Sequence, residues 1–264
     1  MEVGVCALCL KEAELCRSHL IPKGFYRSVI DNEGDVIQVS GGKATIPPGM
    51  GQMTARLLCK QCENHFSRVE KIIISEGCRN SNFPLLEKIN NAKYKHPFGD
   101  STSDFMVFPS EVPDIDWNSY LFFALSVFWR CSVVRNIKEI SSYYNAFGKY
   151  QDEIRNMLLA KLLSLPNHMY FCIQVNNDIT IPLNLLGSPS VISCSGYHVH
   201  HFTVPNMVFH LMVGKRINNT IMGLRQKYGP CSICVGKVVD YKYGKNLCKM
   251  VQSAIPYGRA KDFS

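Results

Sequence analysis

Hydrophobic residues recur at helical spacing near the end of the first eighty residues. In the stretch LLCKQCENHFSRVEKIIISEG, Phe66, Val69 and Ile73 fall on one face of a helix. Gly77 follows that face and marks the end of the helix, since glycine is favoured where helices stop. The pattern predicts a helix that packs one stripe against a core.

Two more helices are predicted in the second half of the chain. Residues 117–135 are apolar almost all round, which is typical of a helix buried on every side. Residues 147–165 place Ile154, Leu158 and Leu162 on one side and are followed by a proline, so an amphipathic helix is expected there.

The remaining pattern predicts strands. The segments MYFCIQV, SVISCSGYHVHHFTV and MVFHLMVG are rich in β-branched and aromatic residues and are bounded by Asn, Pro and Gly. A polar connection at residues 90–104 separates them and the two later helices from the first part of the chain. We therefore expect an α+β protein with two domains, residues 1–85 and a mixed helix-then-strand domain at residues 86–264.

Composition narrows the class of protein. The chain has 264 residues, of which 46% are hydrophobic and 19% charged, so wholesale disorder is excluded. The most apolar stretch, residues 120–129, is half of the roughly 20 residues that a membrane span needs. No basic and apolar signal peptide opens the sequence. We expect a soluble cytoplasmic protein with no membrane partner.

The net charge is concentrated at the C-terminal end. Residues 215–264 contain 10 lysines and arginines against 2 acidic residues, which matches the whole formal charge of +8. Tyrosines are interleaved with these cations, as in segments that bind a nucleic-acid backbone. The same composition also fits a solvated basic surface, and the sequence leaves both interpretations open.

Two pairs of cysteines carry the strongest chemical signal. Cys6-x-x-Cys9 and Cys59-x-x-Cys62 have the spacing of zinc knuckles, and four thiolates can close a tetrahedron around Zn²⁺. A hairpin with a long loop would bring the second pair back to the first. With four protein ligands the metal has no open position, so we expect a structural zinc that stabilises a small module.

The cysteine pairs frame two further motifs, SHLIPK at residues 18–23 and Cys62-Glu63. Together these residues resemble the zinc-bearing branch of the HNH endonucleases, over residues 6 to about 70. The resemblance implies an N-terminal ββα-metal (treble-clef) module that hydrolyses DNA phosphodiester bonds. It also implies bacterial restriction or phage defence as the setting and, by analogy, an NTPase or sensor protein as a partner.

The resemblance assigns roles to individual residues. His19 matches the general base, and a neutral imidazole is available near physiological pH. Glu63 stands at the family's last ligand position and would hold Mg²⁺ or Mn²⁺, while Lys23 and Arg27 would meet phosphates. Ser18 departs from the pattern, because the family usually has an acidic residue or a histidine there.

A second departure and two alternative functions remain. The asparagine that orients the base in the family is not evident, and Thr54 and Arg56 are near its place. His19 is alternatively a packed residue, in which case the module is a degenerate one that binds nucleic acid or a protein partner. A third interpretation places the activity in residues 85–264, whose sequence names no chemistry.

Several other candidates are weaker. Cys231 and Cys234 form a further Cys-x-x-Cys without a matching pair, so a second metal site is not expected. His65 is two residues from Glu63 and would face the opposite side of the helix, whereas Glu70 shares the stripe of Glu63. The last candidates are three histidines on a predicted strand. His198 and His200 would share one face of the strand, and His201 would point to the other.

Overall fold

The computed structural model describes residues 2–29, 38–40, 43–45, 52–77, 83–97, 104–161, 164–177 and 185–237, together with 245 and 249. Half of the basic segment at residues 215–264 lies outside the described residues, as does Leu162, and binding of nucleic acid by this segment stays a prediction.

The chain is a mixed α+β protein with two sheets and a set of helices. The strands are β1 (Val3–Val5), β2 (Glu12–His19), β3 (Gln38–Ser40), β4 (Lys43–Thr45), β5 (Thr54–Cys59), β6 (His96–Pro97), β7 (Phe105–Val107), β8 (Met169–Asn176), β9 (Leu186–Cys194), β10 (Tyr197–Val204), β11 (Met207–Val213) and β12 (Cys231–Gly236). The helices are α1 (Lys23–Val29), α2 (Lys60–Gly77), α3 (Pro84–Asn90), α4 (Trp117–Val133), α5 (Gln151–Ala160) and α6 (Asn219–Tyr228).

The smaller sheet has three antiparallel strands in the order β1-β2-β5. Strand β5 runs directly into α2, which buries Cys62, Phe66 and Ile73 along one stripe. The helix ends at Gly77, so the predicted spacing and stop are confirmed. Strands β2 and β5 and helix α2 thus form one unit, the hairpin–helix unit.

The larger sheet has nine described strands in the order β4-β3-β9-β10-β11-β8-β12-β7-β6. Strands β9, β10, β11 and β8 pair antiparallel, whereas β12 joins β8 in parallel. The strand predictions made for residues 169–213 are confirmed. Helix α6 and strand β12 carry no clear pattern in the sequence and were not predicted.

Helix α4 is the centre of the hydrophobic core. Every residue from Ser119 to Ser132 is buried, as predicted for a helix that is apolar all round. Its first turn is capped by Asp116, whose carboxylate accepts the backbone N–H of Ser119 at 3.1 Å. No helix in the described part of the chain combines the length and apolar character that a membrane span requires.

Helix α5 is shorter than the predicted 147–165 segment. A 3₁₀ turn at Gly148–Tyr150 precedes it, and Lys161 ends it with a left-handed φ of 62°. Ile154 and Leu158 are fully buried, as the apolar stripe predicts. A left-handed residue cannot continue the helix, so α5 ends at Ala160.

Aromatic contacts connect the two sheets through α4. Phe122 meets Phe66 of α2 edge-on at 5.4 Å, and Phe123 lies 5.6 Å from Phe25 of α1. On its other side Phe123 meets Phe209 of the large sheet at 5.3 Å. Buried residues from the first eighty positions and from the rest of the chain consequently belong to one continuous cluster.

Candidate metal centre and active site

The four cysteines of the paired motifs converge. The Sγ atoms of Cys6, Cys9, Cys59 and Cys62 all lie within 4.8 Å of one another, and those of Cys9 and Cys59 are 3.9 Å apart. A tetrahedron with metal–sulfur bonds of about 2.3 Å has sulfur–sulfur edges of about 3.8 Å. The cluster can therefore hold a metal ion without rearrangement of the backbone.

Backbone hydrogen bonds explain why the first pair forms a knuckle. The N–H of Leu10 donates to the Cys6 carbonyl at 2.8 Å, and the N–H of Cys6 donates to Lys11 at 2.9 Å. Leu10 completes the turn with a left-handed φ of 59°. The N–H of Ala7 then bonds the Leu57 carbonyl at 3.0 Å, which fixes this knuckle beside the second one.

The electrostatics of the cluster favour a bound cation. Burial raises the pKa of Cys6, but backbone N–H groups of Cys59, Cys9 and Leu8 outweigh it and lower that pKa to about 7. Burial raises the pKa of Cys62, and the adjacent thiols raise it further. Four thiolates cannot share this space without a positive charge, so the donor set fits a thiophilic metal ion.

Ser18 and Glu63 meet beside this cluster. The Ser18 hydroxyl, which is fully buried, donates to Oε2 of Glu63 at 2.7 Å. Ser18 lies near the end of β2, and Glu63 occupies the first turn of α2 directly after Cys62. The two positions at which the resemblance expects cation ligands are thus in direct contact.

The His19 ring is oriented by a residue that the sequence did not reveal. Its Nε2 lies 2.8 Å from the Gln52 side-chain oxygen. An amide oxygen only accepts, so Nε2 carries the proton and Nδ1 of the neutral ring keeps its lone pair. Gln52 stands two residues before β5, and its contact closes the far end of the hairpin across 33 positions.

Thr54 and Arg56, which stand near the place of the family's orienting asparagine, bond residues other than His19. Thr54 accepts a hydrogen bond from Nε of Arg17 at 2.8 Å, and Arg56 forms an ion pair with Glu2 at 3.2 Å. Thr54 pairs with His19 across the two strands, but the side chain that reaches the His19 ring belongs to Gln52, two residues earlier.

Arg130 reaches the site from α4. Its guanidinium, which is 1% exposed, donates to the backbone carbonyl of His19 at 2.6 Å and to Oε1 of Glu70 at 2.7 Å. Glu70 lies on the same helix as Glu63, but its carboxylate forms an ion pair with Arg130. A lone arginine inside the apolar sequence YLFFALSVFWR is the signal that sequence reasoning passed over.

The other residues near the site have separate surroundings. His65 faces away from Glu63, as predicted, and its ring meets Phe122 edge-on at 4.7 Å. Burial lowers the pKa of His65, and the charges of Lys161 and Arg68 lower it further. Two exposed cations, one helical turn apart, lie on α1 just after His19: Lys23 and Arg27.

Cys231 and Cys234 point to opposite faces of the large sheet. Cys231 belongs to the main core, whereas Cys234 belongs to the cluster on the other face and has its Sγ 3.4 Å from that of Cys172. Successive side chains of a strand point to alternate faces, so two cysteines three residues apart on one strand cannot bind the same metal ion. The two cysteines therefore do not form a knuckle.

The strand histidines also alternate. Nδ1 of His200 is hydrogen-bonded to the Tyr143 hydroxyl at 2.8 Å inside the core, whereas Nε2 of His201 is hydrogen-bonded to the Ser190 hydroxyl at 2.7 Å on the opposite face. Burial lowers the pKa of His200 to about 3 and that of His201 to about 4. These rings are neutral packing residues with hydrogen-bond partners.

Comparison with known proteins returned no match to a family model, to a curated protein or to a solved structure. The similarity of residues 6–70 to HNH endonucleases stays a prediction from the motif.

Proposed function

We propose that the protein is a metal-dependent endonuclease that hydrolyses DNA phosphodiester bonds at the hairpin–helix unit. The observation that carries this proposal is the hydrogen bond between Ser18 and Glu63, next in sequence to a histidine whose ring is held by Gln52. A buried serine hydroxyl bonds a helix carboxylate at 2.7 Å, and the adjacent histidine is held in one tautomer by Gln52. A carboxylate that can hold a cation and an imidazole that can act as a base are the two groups that hydrolysis of a phosphodiester requires.

The hairpin–helix unit supports a treble-clef interpretation. Strands β2 and β5 pair antiparallel, α2 follows β5 without a break, and one cysteine pair lies at each side of the junction. We infer that the four cysteines hold Zn²⁺, since thiolate tetrahedra of this spacing select zinc in folded domains. Zinc with four sulfur ligands stabilises the unit and takes no part in the chemistry.

His19 would act as the general base. Nδ1, which retains its lone pair because Nε2 donates to Gln52, takes a proton from water. The water oxygen then forms a new bond to phosphorus while one phosphoester P–O bond breaks, and the leaving oxygen takes up a proton from solvent. Arg130 holds the backbone at this residue, so the ring enters the reaction already positioned.

Ser18 and Glu63 are the residues that would hold the divalent cation. A hard cation such as Mg²⁺ or Mn²⁺ binds through one or two protein oxygens and keeps its other positions for water and phosphate. When bound, it would stabilise negative charge that develops on the phosphate oxygens. The hydroxyl contributes an oxygen ligand without a charge, which leaves Glu63 as the one acidic ligand of this pair.

The exposed face of α1 is the proposed contact for the DNA backbone. Lys23 and Arg27 are separated by one helical turn and begin four residues beyond His19. Lysine and arginine bind phosphates irrespective of base sequence, so these contacts would position DNA without selecting a sequence.

A plasmid-nicking assay with a matched pair of histidine variants tests the proposal. Zinc-loaded full-length protein is incubated with supercoiled plasmid and Mg²⁺ or Mn²⁺, and the loss of supercoiled DNA is followed over time. His19→Ala should reduce nicking by at least about 100-fold, the range of a lost general base. His65→Ala is the control, because its ring lies on α2 but packs against Phe122.

The outcomes separate the two candidate functions. Nicking by the wild type and by His65→Ala, together with loss in His19→Ala at unchanged zinc content, supports the endonuclease. If wild-type protein binds DNA but leaves it intact with every cation, the endonuclease is wrong. The module would then be a binding module in which the Ser18–Glu63 hydrogen bond is structural.

A further inference from the structure

We propose that Arg130 is a positioning residue that fixes the main chain of His19 and couples the site to helix α4. This inference rests on the proposed role of His19 in hydrolysis. It adds a residue that lies 111 positions away in the sequence and outside the family-like segment.

Arg130 forms hydrogen bonds with the main chain of His19 and with two groups on helices α2 and α4. One terminal nitrogen donates to the His19 carbonyl at 2.6 Å, and the other donates to Glu70 at 2.7 Å. Its Nε donates to the carbonyl of Ser126 at 3.1 Å, so the guanidinium is held at both ends. The fork therefore connects three backbone or side-chain groups on α4, α2 and β2.

Burial makes this arrangement rigid. The guanidinium is 1% exposed and lies over the ring of Phe66 at 5.3 Å, which excludes water from its face. A buried cation requires a paired anion and satisfied hydrogen bonds, and Glu70 supplies the charge. Since the planar fork reaches both partners in one geometry, a lysine cannot reproduce the contact.

The position of the contact gives it a consequence for the ring. Gln52 holds the His19 side chain, and Arg130 holds the His19 carbonyl, so the residue is fixed on both its side chain and its main chain. His19 is the last residue of β2. Without Arg130 the strand end would gain freedom, and the ring would lose its single hydrogen-bonded orientation.

Arg155 provides a matched control. It also reaches from a helix of the large body to a carbonyl of the cysteine-bearing segment, that of Leu8, at 3.1 Å. Its side chain is mostly buried, and it pairs with Asp152 at 3.5 Å. Arg155 touches neither His19 nor Glu63, so it shares the structural role but not the positioning one.

The experiment compares Arg130→Lys with Arg155→Lys in zinc-loaded full-length protein. Ring ¹⁵N chemical shifts of His19, measured at one pH above 8, report which nitrogen carries the proton. We expect one tautomer in the wild type and in Arg155→Lys, and a mixture in Arg130→Lys. In the nicking assay, kcat should fall by about 100-fold in Arg130→Lys with KM within a factor of about 3, as for a misplaced catalytic group.

Each outcome decides the inference. Equal effects of the two variants on the ring, or no effect of Arg130→Lys, overturn it. If Arg130→Lys loses zinc or unfolds, the double variant Arg130→Gln/Glu70→Gln replaces it, because it removes the contact to the His19 carbonyl without leaving Glu70 as an unpaired buried charge. An unchanged ring in that variant then overturns the inference. If the wild type does not nick DNA, the endonuclease fails while the tautomer measurement still decides the role of Arg130.

Discussion

The chain contains the same Cys-x-x-Cys spacing in two regions, with opposite results. In the first region Cys6 and Cys9 lie in a tight turn that Leu10 closes with a left-handed φ, and both thiols face the second pair. In the second region Cys231 and Cys234 lie on β12 and point to opposite faces of the sheet. Spacing defines a ligand pair only when the backbone between the two cysteines turns.

The surroundings of the two pairs reinforce this difference. Backbone N–H groups favour the thiolate of Cys6, whose pKa lies at about 7. Burial raises the pKa of Cys231 to about 12, so its thiol stays protonated. The first region therefore contains one thiol that ionises near neutral pH, whereas Cys231 in the second region is a buried, protonated thiol.

Removing one ligand of the first region should have the largest effect. Cys59→Ser leaves three thiolates around the proposed zinc, and we expect zinc content to fall from about one ion per chain towards none. The free energy of unfolding should fall by about 4 kcal/mol or more, because metal binding contributes directly to folding. Metal analysis and guanidinium unfolding measure the two effects.

Cys16→Ser is the control for that substitution. Cys16 lies on β2 close to the cluster but is not among the four converging thiols. Its variant should keep the metal and most of the stability. Retention of zinc by Cys59→Ser would show that the first region does not depend on its four thiolates.

Acid should weaken the large sheet through its buried histidines, independently of any metal. The pKa of His200 is lowered to about 3, mainly by burial, whereas an unfolded histidine has a pKa of about 6.5. The stability from its neutral ring is full above pH 6.5 and is lost as pH falls towards 3. At pH 5 the loss should be about 2 kcal/mol.

His200→Phe tests this prediction, since it keeps a ring against Phe147 and removes the titrating group. Guanidinium unfolding of both proteins at pH 7.5 and pH 5.0 gives the difference, in which acid effects on the cysteine cluster cancel. The wild type should lose about 2 kcal/mol more than the variant over this range. Equal losses would mean that His200 is not held neutral by burial.

Cysteine substitutions in the second region should have the smallest effect. Cys234→Ala removes one buried sulfur beside Cys172 and should cost about 1 kcal/mol by loss of packing. Zinc content should be unchanged, and Cys231→Ala should behave alike. A loss of metal in either variant would contradict the distinction between the two regions.

Predictions from the sequence succeed where local pattern decides the outcome. The all-round apolar pattern of α4 and the stripe of α2 predict those helices, and the two matching Cys-x-x-Cys pairs predict the cluster of four cysteines. The end of helix α5 was not predicted, because the left-handed residue that ends it is Lys161 and not a glycine.

The contacts that Gln52 and Arg130 make with His19 were missed for a different reason. Gln52 and Arg130 reach His19 across 33 and 111 positions, and no local spacing connects them to it. Gln52 depends on the register of the hairpin, while Arg130 depends on how α4 packs against α2. Such contacts follow from tertiary packing, which a single sequence does not display.

Binding of Mn²⁺ beside His19, followed by NMR, tests the proposed cation site most directly. Paramagnetic Mn²⁺ broadens resonances of nearby protons, and the ring signals of His19 can be compared with those of His200 in the core. We expect selective broadening of His19 in the zinc-loaded wild type and its loss in Glu63→Gln. Equal broadening in the two proteins, or none at His19, would contradict a cation site formed by Ser18 and Glu63.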